Sequence, residues 1–519
     1  MRFLSRLLVV LVVCLVAIVL PAAPAQAAGA YITLSPDDGV PGEEVKVRGS
    51  NFTAYAWVDI YFYPNGARIW IDDVRTDGDG DFSWVTFTVP ESHTGPHDVL
   101  AEDEDEITAY ADFTVEPGLT ISPEEGPVGT NVTVEGLGFA EDEEDIELRY
   151  YHDGVYEVIE DGITADEDGS WEASFPIPPS AKGSHNLDAS GDESRLYEVE
   201  DITFEVKPRI SIDKTSGSVG DNITMTGSGF DVDERDITIL FDEEAVATEI
   251  RADDTGYWEE SFEVPEMPPG EYSVTAEGER TQDLSELSFE IEPDLVLSPD
   301  EGHVGTDLTV TGHGFAADED VEIMYDGSQV ATDTTNDKGS FDASFLVPES
   351  KYGERLVTAE DDAGNNATAI FTMESEPPDT PEIVSPPDGG RVGFIGTVRP
   401  TFEWSEVSDD SGVYYSLQIA TSENITGTGG FVDDPIFSVE GLVGTNYTLK
   451  ETEALPYGTY YWTVQAVDGA ENESGWTAAY SFKAGLLPIW AFIVMIVLIV
   501  VLIGALVYFF VIRKRVYYY

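Results

Sequence analysis

Four copies of one pattern divide most of the chain into nearly equal lengths. It reads Pro41-Gly42…Val47-Arg48-Gly49-Ser50-Asn51-Phe52 and then Val128-Gly129…Val134-Glu135-Gly136-Leu137-Gly138-Phe139. It returns as Val219-Gly220…Met225-Thr226-Gly227-Ser228-Gly229-Phe230 and as Val304-Gly305…Val310-Thr311-Gly312-His313-Gly314-Phe315. The matched glycines Gly42, Gly129, Gly220 and Gly305 are 87, 91 and 85 residues apart. A period of that length is one small domain per copy, not one turn of a solenoid. Within each copy apolar residues alternate, as in Ile202, Phe204, Val206; Leu287, Phe289, Ile291; and Ala369, Phe371, Met373. Period two over short runs bounded by Gly, Pro and Asp marks half-buried strands. Several such strands in about 85 residues predict a two-sheet antiparallel sandwich.

A second landmark recurs in step. Asp168-Gly169-Ser170-Trp171 leads to Ala173, Phe175, Ile177 and Pro178. Thr255-Gly256-Tyr257-Trp258 and Lys338-Gly339-Ser340-Phe341 open the same stretch in later copies. The polar-Gly pair reads as a hairpin turn and the aromatic as a core residue. The first copy, Asp79-Gly80-Asp81-Phe82 to Pro90, holds one extra residue, which predicts a β-bulge near Trp84. With Ser35-Pro36, Ser122-Pro123 and Ser298-Pro299 ahead of the glycine motif, residues 30–374 resemble the immunoglobulin-like repeats of bacterial and archaeal surface proteins, in particular the IPT/TIG type. The third copy departs from that pattern at Asp213-Lys214. The resemblance implies a fold and no particular ligand, because this sandwich hosts many roles.

The period stops at Ser375-Glu376-Pro377-Pro378-Asp379-Thr380-Pro381, which reads as an extended, semi-rigid linker. Beyond it Phe402-Glu403-Trp404, Tyr415 to Ala420, and a long strand approached through Leu455 and Thr459-Tyr460-Tyr461 resemble a fibronectin type III domain. Asn472-Glu473-Ser474-Gly475-Trp476 is similar to its closing loop.

At the N-terminus, Arg2 and Arg6, the apolar run Leu7 to Leu20, and Ala25-Gln26-Ala27 have the order of a secretory signal. Near the C-terminus, Ile489 to Ile512 is uncharged and long enough to span a bilayer, with Arg513-Lys514-Arg515 after it. The expected topology is N-terminal domains outside, one crossing, and a short cytoplasmic tail ending in Tyr517-Tyr518-Tyr519.

The fold class is therefore all-β: tandem immunoglobulin-like β-sandwiches plus one C-terminal transmembrane helix. The expected divisions are a signal peptide over 1–27, repeats over 28–116, 117–207, 208–292 and 293–374, the linker over 375–381, the fibronectin type III-like domain over 382–484, the helix over 486–512, and the tail over 513–519.

All 101 acidic residues lie between the signal and the span, with 20 of the 25 basic ones, so that stretch carries −81. Such a charge repels a phosphate backbone and an anionic membrane face. It fits solubility and repulsion between surfaces, or a salt-rich setting that screens it. Cys14 is the only cysteine and leaves with the signal, so no disulfide can staple the exported domains. That favours a prokaryotic source.

No zinc-protease pair, nucleophile elbow or phosphate loop occurs. His93 and His97 are four apart, yet His97 aligns with His185, Tyr272 and Arg355, which marks a surface strand position rather than a metal ligand. His303 and His313 align with non-ligating residues and read as structural. Asp77-Gly78-Asp79-Gly80-Asp81 lacks the glycine and glutamate of a calcium loop and reads as a turn. The acid runs Glu102 to Glu106 and Glu141 to Asp145 read as solvated faces, with weak inter-domain Ca²⁺ binding as the alternative. Sequons occur at Asn51, Asn131, Asn222, Asn366, Asn424, Asn446 and Asn472. No catalytic, cofactor-binding or metal residue is assigned, and no cofactor.

The leading reading is a non-enzymatic, membrane-anchored cell-surface protein. Its stalk of sandwiches serves adhesion, protein interaction or envelope structure, with other surface proteins or glycans as partners. The rival is a carbohydrate-binding module array, which needs exposed aromatics in a row. Tyr61, Tyr63 and Trp70 are its candidates, and they alternate as core residues would.

Overall fold

The computed structural model describes residues 29–512 apart from 153, 197, 283, 425–429 and 432–434. The signal sequence and the tail expected at the two ends lie outside the described residues. The first repeat holds β1 (Tyr31–Ser35), β2 (Asp38–Gly39), β3 (Glu44–Ser50), β4 (Trp57–Phe62), β5 (Ile69–Arg75), β6 (Phe82–Thr88), β7 (Gly95–Asp103) and β8 (Thr108–Val115). A three-stranded sheet runs β1-β3-β6 and a five-stranded sheet runs β2-β8-β7-β4-β5. All pairs are antiparallel except β2 with β8. The alternation places Val45 and Val47 of β3 and Val58, Ile60 and Phe62 of β4 in one core with Phe87, Val99 and Phe113.

The second and fourth repeats keep this strand order. In the third, Arg209–Ile212 pairs with Asn222–Ser228, and Ile237–Phe241 lies between Glu244–Ile250 and Gly270–Glu277. The fifth domain has the same order despite its different sequence. Ile383–Ser385, Thr401–Trp404 and Asn446–Thr448 form its smaller sheet, with Trp404 in the core. Gly390–Val392, Tyr480–Ala484, Gly458–Asp468, Val413–Ala420 and Phe437–Leu442 form the larger, the first two parallel. Ser385-Pro386 stands where the chain leaves one sheet for the other, as Ser35-Pro36 does in the first repeat, and both bonds are cis. By its contacts the chain divides into two units. One holds the first two repeats and part of the third, and the other holds the rest of the third, the fourth repeat, the fifth domain and the helix.

The two sequence landmarks turn out to be two halves of one joint. Phe52 N–H donates to the Gly80 carbonyl at 3.0 Å, and Phe139, Phe230 and Phe315 do the same to Gly169, Gly256 and Gly339. Gly80 has φ +79°, and a Cβ there would lie 2.0 Å from the Phe52 carbonyl oxygen, so the turn accepts only glycine. Gly49, Gly136, Gly227 and Gly312 leave room for the rings of Phe82, Trp171, Trp258 and Phe341. The turn is not the hairpin expected. It joins β5 to β6, which belong to different sheets. Its first residue stabilises it: the Asp77 carboxylate accepts from the N–H groups of Asp79 and Asp81 at 2.9 and 3.0 Å. Asp166, Asp253 and Asn336 repeat that arrangement.

The bulge at Trp84 is present. Val47 faces Val85 while Gly49 faces Phe82, which leaves one extra residue on β6. Trp84 points outward with the Arg48 guanidinium 4.9 Å from its ring centre. Near the C-terminus, α1 (Ile489–Val507) continues as a wider turn to Ile512. The helix starts at Ile489 rather than 486, because Leu486 N–H is bound to the Phe394 carbonyl and Leu487 bridges Ile395. Ile489–Phe510 is 22 residues, long and apolar enough to cross a membrane, at about 33 Å.

Candidate interaction surface

The aligned histidine position is not the surface position expected. His97 is 4% exposed and stacks on Phe62, so it is no surface residue. Its Nε2 faces the His93 carbonyl at 2.7 Å and its Nδ1 the Tyr63 carbonyl at 3.1 Å. His185 makes the matching pair of contacts with Ala181 and Tyr151. Tyr272 donates to the Pro268 carbonyl and Arg355 to that of Tyr352. Tyr460 in the fifth domain donates to Pro456. The position takes His, Tyr or Arg because each is a donor that can reach back three or four residues. A sequence comparison shows the variety and hides the shared bond.

The acid runs are not simply solvated faces. Asp103 and Glu143 are buried, and each binds backbone N–H groups inside its own domain. Asp103 accepts from Thr53, Asp105 and Ile107. Glu143 accepts from Ala140, Glu193 and Ser194. Glu234 copies Glu143, with Asp231, Arg280 and Thr281 as donors, and Asp361 copies Asp103, with Ala316 and Asn365. One carboxylate thus ties the loop after the motif phenylalanine to the far loop in every repeat. In repeats one and four it comes from the strand end, and in two and three from the loop. Burial alone would raise the pKa of Glu234, but the hydroxyl and N–H of Thr281 and the N–H of Arg280 outweigh it and hold it low.

Three pairs of neighbouring domains touch through a bond from the same strand-start position. Thr94 N–H donates to the Phe139 carbonyl, Lys182 N–H to Phe230, and Tyr352 N–H to Ala470, at 2.7 to 2.9 Å. Beside the last of these bonds, ligand atoms of Glu374, Asp409 and Asp468 lie within 4.8 Å of one another. Among the described residues these are the carboxylates a cation could bridge. Protein donors already hold them: Ser411 Oγ on Glu374, Ser411 N–H on Asp409, and Asn472 and Ala470 on Asp468. Burial raises the pKa of Asp409, the Ser411 N–H opposes this, and the carboxylates of Asp468, Asp410 and Glu376 add to the rise. Asn472 is buried in this network, so its sequon is closed to a glycan, whereas Asn51, Asn131, Asn222, Asn366 and Asn446 are exposed.

Tyr61 and Trp70 do not face the core. Val58, Ile60 and Phe62 take the inward parity of β4, so Trp57, Asp59 and Tyr61 point out. The register then aligns Tyr110, Leu100, Tyr61 and Trp70 directly opposite one another across β8, β7, β4 and β5. Tyr110 is 57% and Trp70 53% exposed, while Leu100 is buried among its neighbours. Arg68 lies 4.2 Å above the Tyr61 ring and bonds Glu102 at 3.1 Å. Asp59 accepts from Trp70 Nε1 at 3.3 Å and from the Tyr61 hydroxyl at 3.5 Å. In the other repeats the residue at the place of Tyr61 is Arg149, Leu240 or Met324, and its cross-strand partners are Asp188 and Val158, Thr275 and Ala245, or Thr358 and Gln329. The aromatic row belongs to the first repeat.

Residues 209–290 match the IPT/TIG domain family. The matched stretch is the third repeat, the copy in which Ser-Pro is replaced, so the match does not depend on that dipeptide. No curated protein matches the chain. A solved tetra-tandem repeat from the extending region of a large adhesion protein is 16% identical, covering 67% of this chain and 100% of its own, with a TM-score of 0.19. Escherichia coli alpha-2-macroglobulin is 12% identical over 88% of this chain and 40% of its own, with a TM-score of 0.16. The eight N-terminal Ig domains of Down Syndrome Cell Adhesion Molecule are 14% identical over 89% and 60%, with a TM-score of 0.18. Likeness at this level bears on neither ligand nor activity.

Proposed function

We propose that this chain is a non-enzymatic, membrane-anchored surface protein whose tandem sandwiches form a stalk. The observation that carries this is a succession of five sandwiches of one strand order, ending at one apolar helix of membrane-spanning length. The domain divisions are those drawn from the repeat period, with a fibronectin type III-like fifth domain beside the membrane. The signal sequence directs the sandwiches outside, and the basic Arg513-Lys514-Arg515 keeps the tail in the cytoplasm. Partners are other surface proteins or glycans, and the charge of −81 excludes nucleic acid. The absence of cysteine from the mature chain supports a prokaryotic source.

A carbohydrate-binding array is the second reading. Its main support is the aromatic row of the first repeat; the second repeat adds one exposed cross-strand pair, Tyr151 and Tyr156. Membrane extraction tests the leading reading. The full chain should stay with membranes in alkaline carbonate and leave in detergent, and a chain ending before Leu486 should be released. Release of the full chain by carbonate would overturn the anchor.

A further inference from the structure

We propose that the outer face of the five-stranded sheet in the first repeat binds a basic polypeptide segment, taking its arginine or lysine side chains onto the aromatic row. The row Tyr110-Leu100-Tyr61-Trp70 crosses four strands, about 14 Å at the usual strand spacing. Carboxylates flank it on both sides. Asp98 stands directly opposite Asp112 on one side, and Glu102, Asp59 and Asp73 stand in register on the other. Like charges directly opposite one another weaken a sheet, so their assembly on one face costs stability that a cationic partner would return.

The row already holds one cation. Arg68 lies over Tyr61 and is clamped by Glu102, which shows in one place the geometry that a partner's guanidinium would adopt on Trp70 and Tyr110. Trp70 Nε1 and the Tyr61 hydroxyl are spent on Asp59. What these rings offer outward is therefore their π faces, which attract cations. A second copy of this chain, at the same strong negative charge, would be repelled. So would an anionic polymer. The proposal goes beyond the stalk reading and needs neither the anchor nor the topology.

The test is binding of octa-arginine to the full chain in detergent micelles at physiological salt. Two double variants are compared: Trp70→Ser with Tyr110→Ser, and Met324→Ser with Leu356→Ser on the fourth repeat as a matched control. The row variant should bind about tenfold more weakly and the control should match wild type. Trp70→Tyr, which keeps a ring, should retain most of the affinity, and unchanged melting of each variant confirms folding. Equal affinity of the row variant and wild type would reduce the binding to general charge attraction and overturn the proposal. So would binding of cellohexaose that the row variant abolishes, since it would assign the face to glycans. Failure here with membrane extraction intact leaves the anchor standing.

Discussion

At the scale of single residues, the glycines were legible in the sequence and their partners were not. Gly136 is fixed by the Trp171 indole, which a Cβ would meet at 2.0 Å. Gly136→Ala should therefore cost at least about 3 kcal/mol, read by denaturant unfolding. The same indole hides a flaw. Trp171 Nε1 and Trp258 Nε1 are buried without a partner, where repeats one and four place Phe82 and Phe341. Because an unsatisfied buried donor costs about 1–3 kcal/mol, Trp171→Phe should leave stability within about 1 kcal/mol of wild type despite the smaller ring. A loss above about 3 kcal/mol would contradict this. Glu234 gives a pH signature. Its folded pKa lies below the unfolded value, so its contribution is present above the unfolded pKa and lost as pH falls through the folded one. Glu234→Gln should destabilise by about 1.5–3 kcal/mol at neutral pH, and the gap should close as the solution is acidified below pH of about 4. A gap independent of pH would assign the effect to packing.

At the scale of elements, alternation was readable, and its phase was not. Period two says that Tyr61 and Val58 lie on opposite faces, but the facing sheet decides which set is buried. In β4 the smaller, branched Val58 and Ile60 with Phe62 fill the core, and the tyrosine is left outside. The polar-glycine turn was likewise recognised, while its partners lie in two sheets that only the fold brings together. The histidine position shows the same limit: three residue types share one bond to an upstream carbonyl. Tyr272→Phe removes that bond and keeps the ring, and should cost about 1 kcal/mol by thermal or denaturant unfolding. No change would show that the ring, not the hydroxyl, holds the corner. The bulge at Trp84 was legible because one extra residue between two fixed landmarks has nowhere else to go.

At the scale of the whole molecule, the fold class could be read from the repeat, and the unity of the five domains could not. The fifth domain lacks the glycine-phenylalanine joint, yet it shares the strand order and the Ser-Pro at the change of sheet. Its core is built from other residues, Phe402, Trp404 and Trp462, so its pattern differs while its topology does not. The charge of −81 is a property of this scale as well. Self-repulsion in low salt should lower the melting temperature, and bringing the buffer to physiological ionic strength should raise it by several degrees. A melting curve indifferent to salt would mean that the domains titrate and fold independently of that field. The central claim is one membrane crossing with the sandwiches outside. With Cys14→Ser as background, Ser328→Cys at the exposed start of the strand Ser328–Thr334 in the fourth repeat and Tyr519→Cys in the tail can each be treated on intact cells with a membrane-impermeant maleimide. Labelling of Ser328→Cys without permeabilisation, and of Tyr519→Cys only after it, is the expected result. Labelling of the tail on intact cells, or protection of the repeat, would contradict the account.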